Sequence, residues 1–158
     1  MPPYVPPVTR RAPLPTLEAA TRAHPRSAEA WLALAAALGQ SPQVGARVQA
    51  IRAARRALAL DPTCIDSRVA VAVLSFDKGN PAATMGVLGP MSANAPTIAE
   101  ISFHMGMVLF WIKQFDDAAS QMRQVLANDP GRPYGPIARV FERCLTSRAS
   151  CDAIAGTG

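Results

Sequence analysis

Residues 97–130 read TIAEISFHMGMVLFWIKQFDDAASQMRQVLANDP, and this stretch carries the pattern that decides the fold. It has the periodicity of two amphipathic helices joined by a short turn, and it closes on the dipeptide Asp-Pro. Pro62, Pro96 and Pro130 are spaced 34 residues apart, and Pro25 lies 37 residues before Pro62, which is one period plus three inserted residues. A period of this length is typical of a stacked array of helical repeats.

The composition favours an all-α fold. Of the 158 residues, 49% are apolar and only nine are aromatic, so packing through small side chains between helices is favoured over a β-sandwich. The length suits one domain with a substantial core. No secretory signal is visible in residues 1–15, and the longest apolar stretches, 31–38 and 105–112, are too short to span a bilayer. The sequence predicts a soluble, cytoplasmic chain, or a domain of a larger exported or anchored protein.

The net charge of +5 is unevenly distributed. Residues 1–60 hold eight Arg and two Glu, a balance of +6, whereas residues 61–158 come to −1. A basic region can attract nucleic acid, anionic lipid or an acidic protein. A solvated helix face is the favoured interpretation.

The three cysteines do not form a metal-type cluster, and an odd number argues against a disulfide framework. Cys144 and Cys151 lie seven residues apart, so they could share a helix face or, if the tail folds back, form a bridge. Buried or idle thiols are the favoured interpretation, because a free cysteine usually behaves as a small apolar residue.

The chain divides into a proline-rich arm (1–15), a helical domain (16–147) and a tail (148–158) that we expect to be frayed. Six prolines make the arm extended and keep it out of the core. The segment 69–73 has strand propensity, but the period predicts a helix there. The following helix, which begins near residue 81, is expected to kink or end early near Gly89, which makes the middle repeat the weakest.

Local signals predict the helix ends and the last helix. The expected N-caps are Thr16, Ser27, Asn80 and Thr97, with Pro81 at the first helical position after Asn80. The predicted last helix runs from about 135 to 147 and caps the array, as repeat arrays require. Its array-facing side chains are predicted to be Ile137, Val140, Phe141 and Leu145.

Set on the 34-residue frame, the pattern resembles the tetratricopeptide repeat, W-x2-L-G-x2-Y followed by A-x3-F, Ala and Pro. The matching residues of the third unit are Ser102, Met105, Gly106, Leu109, Ala118, Met122, Val125 and Pro130. Those of the first are Trp31, Leu34, Ala35, Leu38, Ala50, Ala54, Ala57 and Pro62, and those of the second are Arg68, Val71, Ala72, Ser75, Thr84, Leu88, Met91 and Pro96. The resemblance covers about residues 16–145 and implies a right-handed α-solenoid. Gly106 and Ala118 would be small because the two helices of a unit approach there.

The resemblance also implies a concave groove lined by the first helix of each unit. Its expected partner-binding residues, called here the predicted groove residues, are Val69, Val73, Phe76, Phe103, Met107, Phe110 and Trp111. They are apolar, which argues against the carboxylate clamp of chaperone-binding family members and favours an apolar or helical partner segment. Two alternatives are that some of them pack against the next unit or the final helix, and that the arm segment PPYVPPV lies in the groove and blocks it.

Enzymatic, metal and cofactor chemistry find no support in the sequence. His24 and His104 are far apart, and His104 lies in an apolar stripe where a satisfied or groove-facing histidine is expected. No phosphate-binding glycine loop, Ser-His-Asp set or HExxH motif is present. The cluster of Arg52, Arg55 and Arg56 with Arg47 lacks interleaved aromatic residues, which argues against nucleic-acid binding.

The sequence therefore predicts a non-enzymatic scaffold or adaptor that binds a protein or peptide in its groove. The alternative is a structural domain that associates with copies of itself into a homo-oligomer.

Overall fold

The computed structural model describes residues 1–7 and 12–147, and within these ranges it contains eight α-helices and no strand. The helices account for 71% of the described residues, which confirms the all-α prediction. They are α1 (Leu14–Ala23), α2 (Ala28–Gly39), α3 (Ala46–Leu60), α4 (Ile65–Leu74), α5 (Pro81–Asn94), α6 (Ala99–Trp111), α7 (Phe115–Asn128) and α8 (Tyr134–Ser147). None of them is long and apolar enough to cross a membrane. The predicted tail, 148–158, lies outside the described residues.

The helix bounds recur with the spacing found in the sequence. Helices α3, α5 and α7 end 34 residues apart, at Leu60, Asn94 and Asn128, each two residues before a proline of the repeated series. Helices α4 and α6 begin 34 residues apart, and so do α5 and α7. The 34-residue period of the prolines is therefore also the spacing of the helix bounds. Membership of the tetratricopeptide family and a solenoid arrangement stay predictions.

Contacts between backbone positions divide the chain into two compact units. The unit Pro3–Ser75 contains α1 to α4, in which α2 packs against α1, α3 and α4, and α3 packs against α4. The other unit, Met1–Pro2 with Phe76–Gly158, contains α5 to α8, in which α6 packs against α5, α7 and α8, and α7 packs against α8. The two helices of the predicted middle repeat, α4 and α5, thus belong to different units. The sequence did not predict this division.

Helices begin at the predicted N-caps at two of four positions, Ser27 and Asn80. The hydroxyl oxygen of Ser27 accepts a hydrogen bond from the amide of Ala30 at 3.2 Å, as expected for an N-cap. The prediction for Thr16 is wrong, since α1 begins at Leu14 and Pro15 fits a first turn whose amides need no partner within the helix. The prediction for Thr97 is also wrong, because Ile98 occupies the N-cap position of α6.

Helix α5 does not end early. It continues through Gly89 and Pro90 to Asn94, and Pro90 remains exposed inside the helix. Proline has no amide hydrogen, so one backbone hydrogen bond of α5 is absent at this position.

The predicted close approach of α6 and α7 is confirmed at Gly106. A Cβ atom at this position would lie 2.7 Å from Cε of Met122, 3.2 Å from Cβ of Gln121 and 3.4 Å from the carbonyl oxygen of Ala118. Ala118 itself is fully buried. The same use of small side chains is visible in α3, where Ala50, Ala54 and Ala57 are fully buried.

The proline-rich arm is not entirely outside the core. Tyr4 is only 1% exposed, and its hydroxyl donates a hydrogen bond to the carbonyl oxygen of Asp66 in the first turn of α4, at 3.4 Å. Residues 1–7 are in neither a helix nor a strand, as their prolines predict. The expectation that the arm stays out of the core is therefore wrong at Tyr4, because an extended segment can still bury one aromatic side chain.

One cysteine differs from expectation. Cys144 is disulfide-bonded, so the interpretation of idle thiols is wrong at this position. Cys151, the other member of the bridge considered from the sequence, lies outside the described residues. Cys64 is a free thiol.

Candidate functional site

Most of the predicted groove residues are buried. Val69 and Val73 of α4 are fully buried, Phe76 and Phe103 are 1% exposed, and Met107 is 5% exposed. These five side chains therefore do not form the open apolar surface expected from the sequence. Phe110 and Trp111 are partly exposed. A role of the seven residues in partner binding stays a prediction.

The final helix contributes to the burial of two aromatic residues of α6. The ring of Tyr134, the first residue of α8, lies 4.9 Å from the ring of Phe103 between centroids, and Phe141 packs edge-on against Phe110 at 5.2 Å. Of the two alternatives weighed for the groove, packing against the final helix therefore describes Phe103 and Phe110.

The buried face of α8 is formed by Tyr134, Ala138 and Phe141. These positions follow the spacing i, i+4, i+7, which places them on one side of a helix. Val140 is 52% exposed, so its predicted orientation toward the array is wrong. Phe141 was also predicted to face inward, and it is buried. Because successive residues of a helix point about 100° apart, Val140 faces a different direction from Phe141.

His104 is fully buried and hydrogen-bonded. Its Nδ1 lies 2.8 Å from the carbonyl oxygen of Glu100, and because a carbonyl oxygen only accepts, Nδ1 carries the proton. The ring also meets Phe103 edge-on at 5.2 Å between centroids. Burial disfavours the charged form and lowers the pKa of His104 to about 4. This histidine is a neutral part of the core, as one of the two sequence-based interpretations held.

The low pKa of His104 predicts a stability that depends on pH. The unfolded chain binds a proton near the ordinary pKa of 6.5, whereas the folded chain does so only near 4, so acid favours unfolding within that window. The stability associated with neutral His104 is complete above pH 6.5, and it is lost progressively as the pH falls from 6.5 towards 4. Between pH 7 and pH 5 we expect the free energy of unfolding to decrease by about 2 kcal/mol from this group.

Urea unfolding at both pH values measures this decrease. His104→Asn is the control, since its amide can donate to the same carbonyl but does not titrate. The variant should show a smaller decrease than the wild-type chain, because other groups titrate equally in both. An equal decrease in the two proteins would contradict the assignment to His104.

An open cleft lies in the unit Pro3–Ser75, among α1, α2 and α3, with a volume of about 390 Å³. Helix α2 supplies an apolar floor that includes Trp31, and α3 supplies two arginines one helical turn apart. The lining residues are Glu18, Trp31, Leu34, Leu38, Gln49, Arg52, Ala53 and Arg56. Trp31, Leu34 and Leu38 are the i, i+3, i+7 stripe visible in the sequence, so α2 presents one continuous apolar strip to the cleft.

Two features fix the geometry of this cleft. The indole Nε1 of Trp31 donates a hydrogen bond to the carbonyl oxygen of Pro25 at 3.0 Å, which holds the ring in place. Arg52 and Arg56 are exposed and four residues apart, so their guanidinium groups stand on the same face of α3. The cleft thus combines an apolar floor with a predominantly basic rim, opposed by the single carboxylate of Glu18.

The arginine cluster recognised in the sequence does not act as one surface. The Nε of Arg47 donates a hydrogen bond to the carbonyl oxygen of Leu74 at 3.0 Å, which ties the start of α3 to the end of α4. Arg52 and Arg56 line the cleft, whereas Arg55 is exposed but does not line it. The sequence contained the signal for this site in the apolar stripe of α2 and the i, i+4 arginine pair of α3, but nothing in it showed that the two meet.

Groups of three or more histidine, cysteine, aspartate or glutamate side chains that could hold a metal ion are absent from residues 1–7 and 12–147. Comparison with models of protein families found no match, and comparison with curated proteins found no significant match.

Proposed function

We propose that this chain is a non-enzymatic adaptor of the tetratricopeptide type that binds a segment of a partner protein. The cleft lined by Trp31, Leu34, Arg52 and Arg56 is the proposed contact site, in place of the buried predicted groove residues. The observation that carries the proposal is the apolar floor bordered by two arginines on one helix face.

The chemistry of the cleft indicates the kind of segment. The cleft is open, and the surface that lines it is mainly apolar. The strip along α2 matches apolar side chains spaced one helical turn apart, as an amphipathic helix presents them. Arg52 and Arg56 complement carboxylates beside that apolar face, since guanidinium groups pair with carboxylates in a fixed geometry. An acidic amphipathic helix therefore fits the site.

Charge reversal at the rim tests the proposal. Proteins retained from the source lysate by the wild-type chain, by Arg52→Glu and by Arg55→Glu are compared by quantitative mass spectrometry. Arg55→Glu is the matched control, because it places the same charge on the same helix at an exposed position outside the cleft. A partner bound through the cleft should decrease about tenfold or more with Arg52→Glu, equivalent to about 1.4 kcal/mol, and remain with Arg55→Glu.

Equal retention by all three proteins would show that the cleft is not the contact site. Equal loss from both variants would show a general attraction to positive charge, as for a nucleic acid, and salt dependence would then identify it. Circular dichroism of the three proteins verifies equal helicity, which is expected because both arginines are exposed.

Self-association is a second candidate, and a different surface favours it. Phe115 is 46% exposed at the start of α7, and its ring lies 5.8 Å from that of the partly exposed Phe110. Trp111 is also partly exposed in the same helix junction. Exposed aromatic side chains that lie together often mark an interaction surface. Sedimentation at increasing concentration distinguishes a homo-oligomer, which Phe115→Glu should dissociate, from a monomer.

A further inference from the structure

The arm segment of residues 3–7 belongs to the unit Pro3–Ser75 and buries one of its side chains there. Pro3 is exposed, Tyr4 is 1% exposed, and Val5, Pro6 and Pro7 are intermediate. Tyr4 is therefore the one buried side chain among residues 3–7. This is the mode in which an extended proline-flanked peptide lies on a protein, and prolines lower the entropy lost when such a segment is ordered.

The hydroxyl of Tyr4 is bonded to α4, a helix that is covered over most of its circumference. Of the ten residues of α4 only Arg68 is exposed, although α4 packs against just two helices of its own unit, α2 and α3. The Tyr4 hydroxyl reaches the carbonyl oxygen of Asp66 in the first turn. A carbonyl in a first turn has a second lone pair free of the helix ladder, so it can accept this bond without loss of a helical one.

We infer that α4 carries a binding site for an extended, proline-flanked tyrosine segment, and that the chain fills this site with its own arm. The ring of Tyr4 is the anchor, its hydroxyl gives orientation, and the prolines hold the segment extended. A partner segment of the same chemistry binds by displacing the arm. This site is distinct from the cleft among α1, α2 and α3, and the inference does not rest on the proposed function of that cleft.

The arm has an advantage over any competing segment because it is tethered. A short tether gives an effective concentration on the order of millimolar, so a free peptide binds the intact chain far more weakly than it would bind an emptied site. Removal of the anchor from the arm should therefore expose the site. Tyr4→Ala provides this change in the full chain, and Pro3→Ala is the matched control because Pro3 is exposed.

The test uses a fluorescein-labelled peptide, PPYVPP, which copies residues 2–7. Its binding to the wild-type chain, to Tyr4→Ala and to Pro3→Ala is measured by fluorescence anisotropy. We expect at least tenfold tighter binding to Tyr4→Ala than to the other two proteins, and no binding of the peptide PPAVPP to any of them. Equal affinities for wild type and Tyr4→Ala, or equal binding of both peptides, would overturn the inference.

A measurement on the wild-type chain covers the case in which Tyr4→Ala loses helicity. An excess of unlabelled PPYVPP over the effective concentration of the arm should displace it, and the amide of Val5 should then exchange its hydrogen faster. The peptide PPAVPP should leave that rate unchanged. Unchanged exchange with PPYVPP would show that the arm is a fixed part of the fold and not a displaceable ligand.

Discussion

Replacement of Phe103 by alanine is expected to lower the free energy of unfolding by about 3 to 5 kcal/mol, the usual range for deletion of a buried phenylalanine ring. Phe103 is 1% exposed, and its ring meets those of Tyr134 and His104 at 4.9 and 5.2 Å. The cavity would lie between α6 and α8, and two rigid rings on its walls limit collapse. Urea unfolding followed by circular dichroism measures the loss.

This result separates two roles for Phe103. A residue that lines an open groove would lose partner affinity on truncation with little change in stability, whereas a core residue loses stability. Val140→Ala on α8 is the control, because Val140 is 52% exposed and its truncation should change the free energy of unfolding by less than about 0.5 kcal/mol. Similar small effects of both substitutions would contradict the packing of α8 on Phe103.

Two glycine-to-alanine substitutions are expected to change stability in opposite directions. A Cβ atom at Gly135, the second residue of α8, would collide with backbone atoms of Pro130, including its carbonyl oxygen. A backbone obstacle cannot rotate away, and the guanidinium of Arg139 donates to the same oxygen at 3.1 Å. Gly135→Ala should therefore cost about 3 kcal/mol or more, at the upper end of overpacking.

Gly86→Ala is the matched substitution in α5. A Cβ atom there meets no other atom within 4 Å, and Gly86 is exposed inside the helix. Alanine should then stabilise the chain by about 0.5 to 1 kcal/mol through its better helix propensity. Thermal unfolding of both variants measures whether each substitution lowers or raises the stability of the chain. If Gly135→Ala were neutral or stabilising, the close contact between the start of α8 and Pro130 would be contradicted.

Local and periodic features of the fold could be read from the sequence. The N-cap at Ser27 agrees with prediction, and the close approach of two helices at Gly106 was predicted from the repeat. Such features depend on propensity, on proline and glycine, and on the 3.6-residue period, which act within one or two turns. The same local rules missed the start of α1, where proline in a first turn begins a helix and does not delay it.

Features that depend on which helix faces pack against each other could not be predicted from the sequence in this way. An apolar side chain is expected both in a binding groove and in a core. The sequence therefore could not show that Phe103 and Met107 are buried in the core. The cleft required the stripe through Trp31 to face the arginine pair at Arg52, a juxtaposition that only the packing of α2 on α3 creates. An arm lying on the helices was one of the alternatives read from the sequence, but the burial of Tyr4 was not predicted. The prolines of the arm favour an extended backbone and do not show which side chain is buried.

The burial of α6 over all but its last two residues has a consequence for how this chain can vary. Eleven consecutive residues, from Ala99 to Leu109, are buried, whereas α7 buries a single stripe and leaves positions such as Arg123 exposed. Substitutions can therefore change the chemistry of the outer face of α7 at little structural cost. A substitution among residues 99–109 of α6 must instead be matched by a change in the volume of a neighbouring side chain. New surface chemistry would thus evolve on the helices around α6, while α6 itself would change only in concert with them.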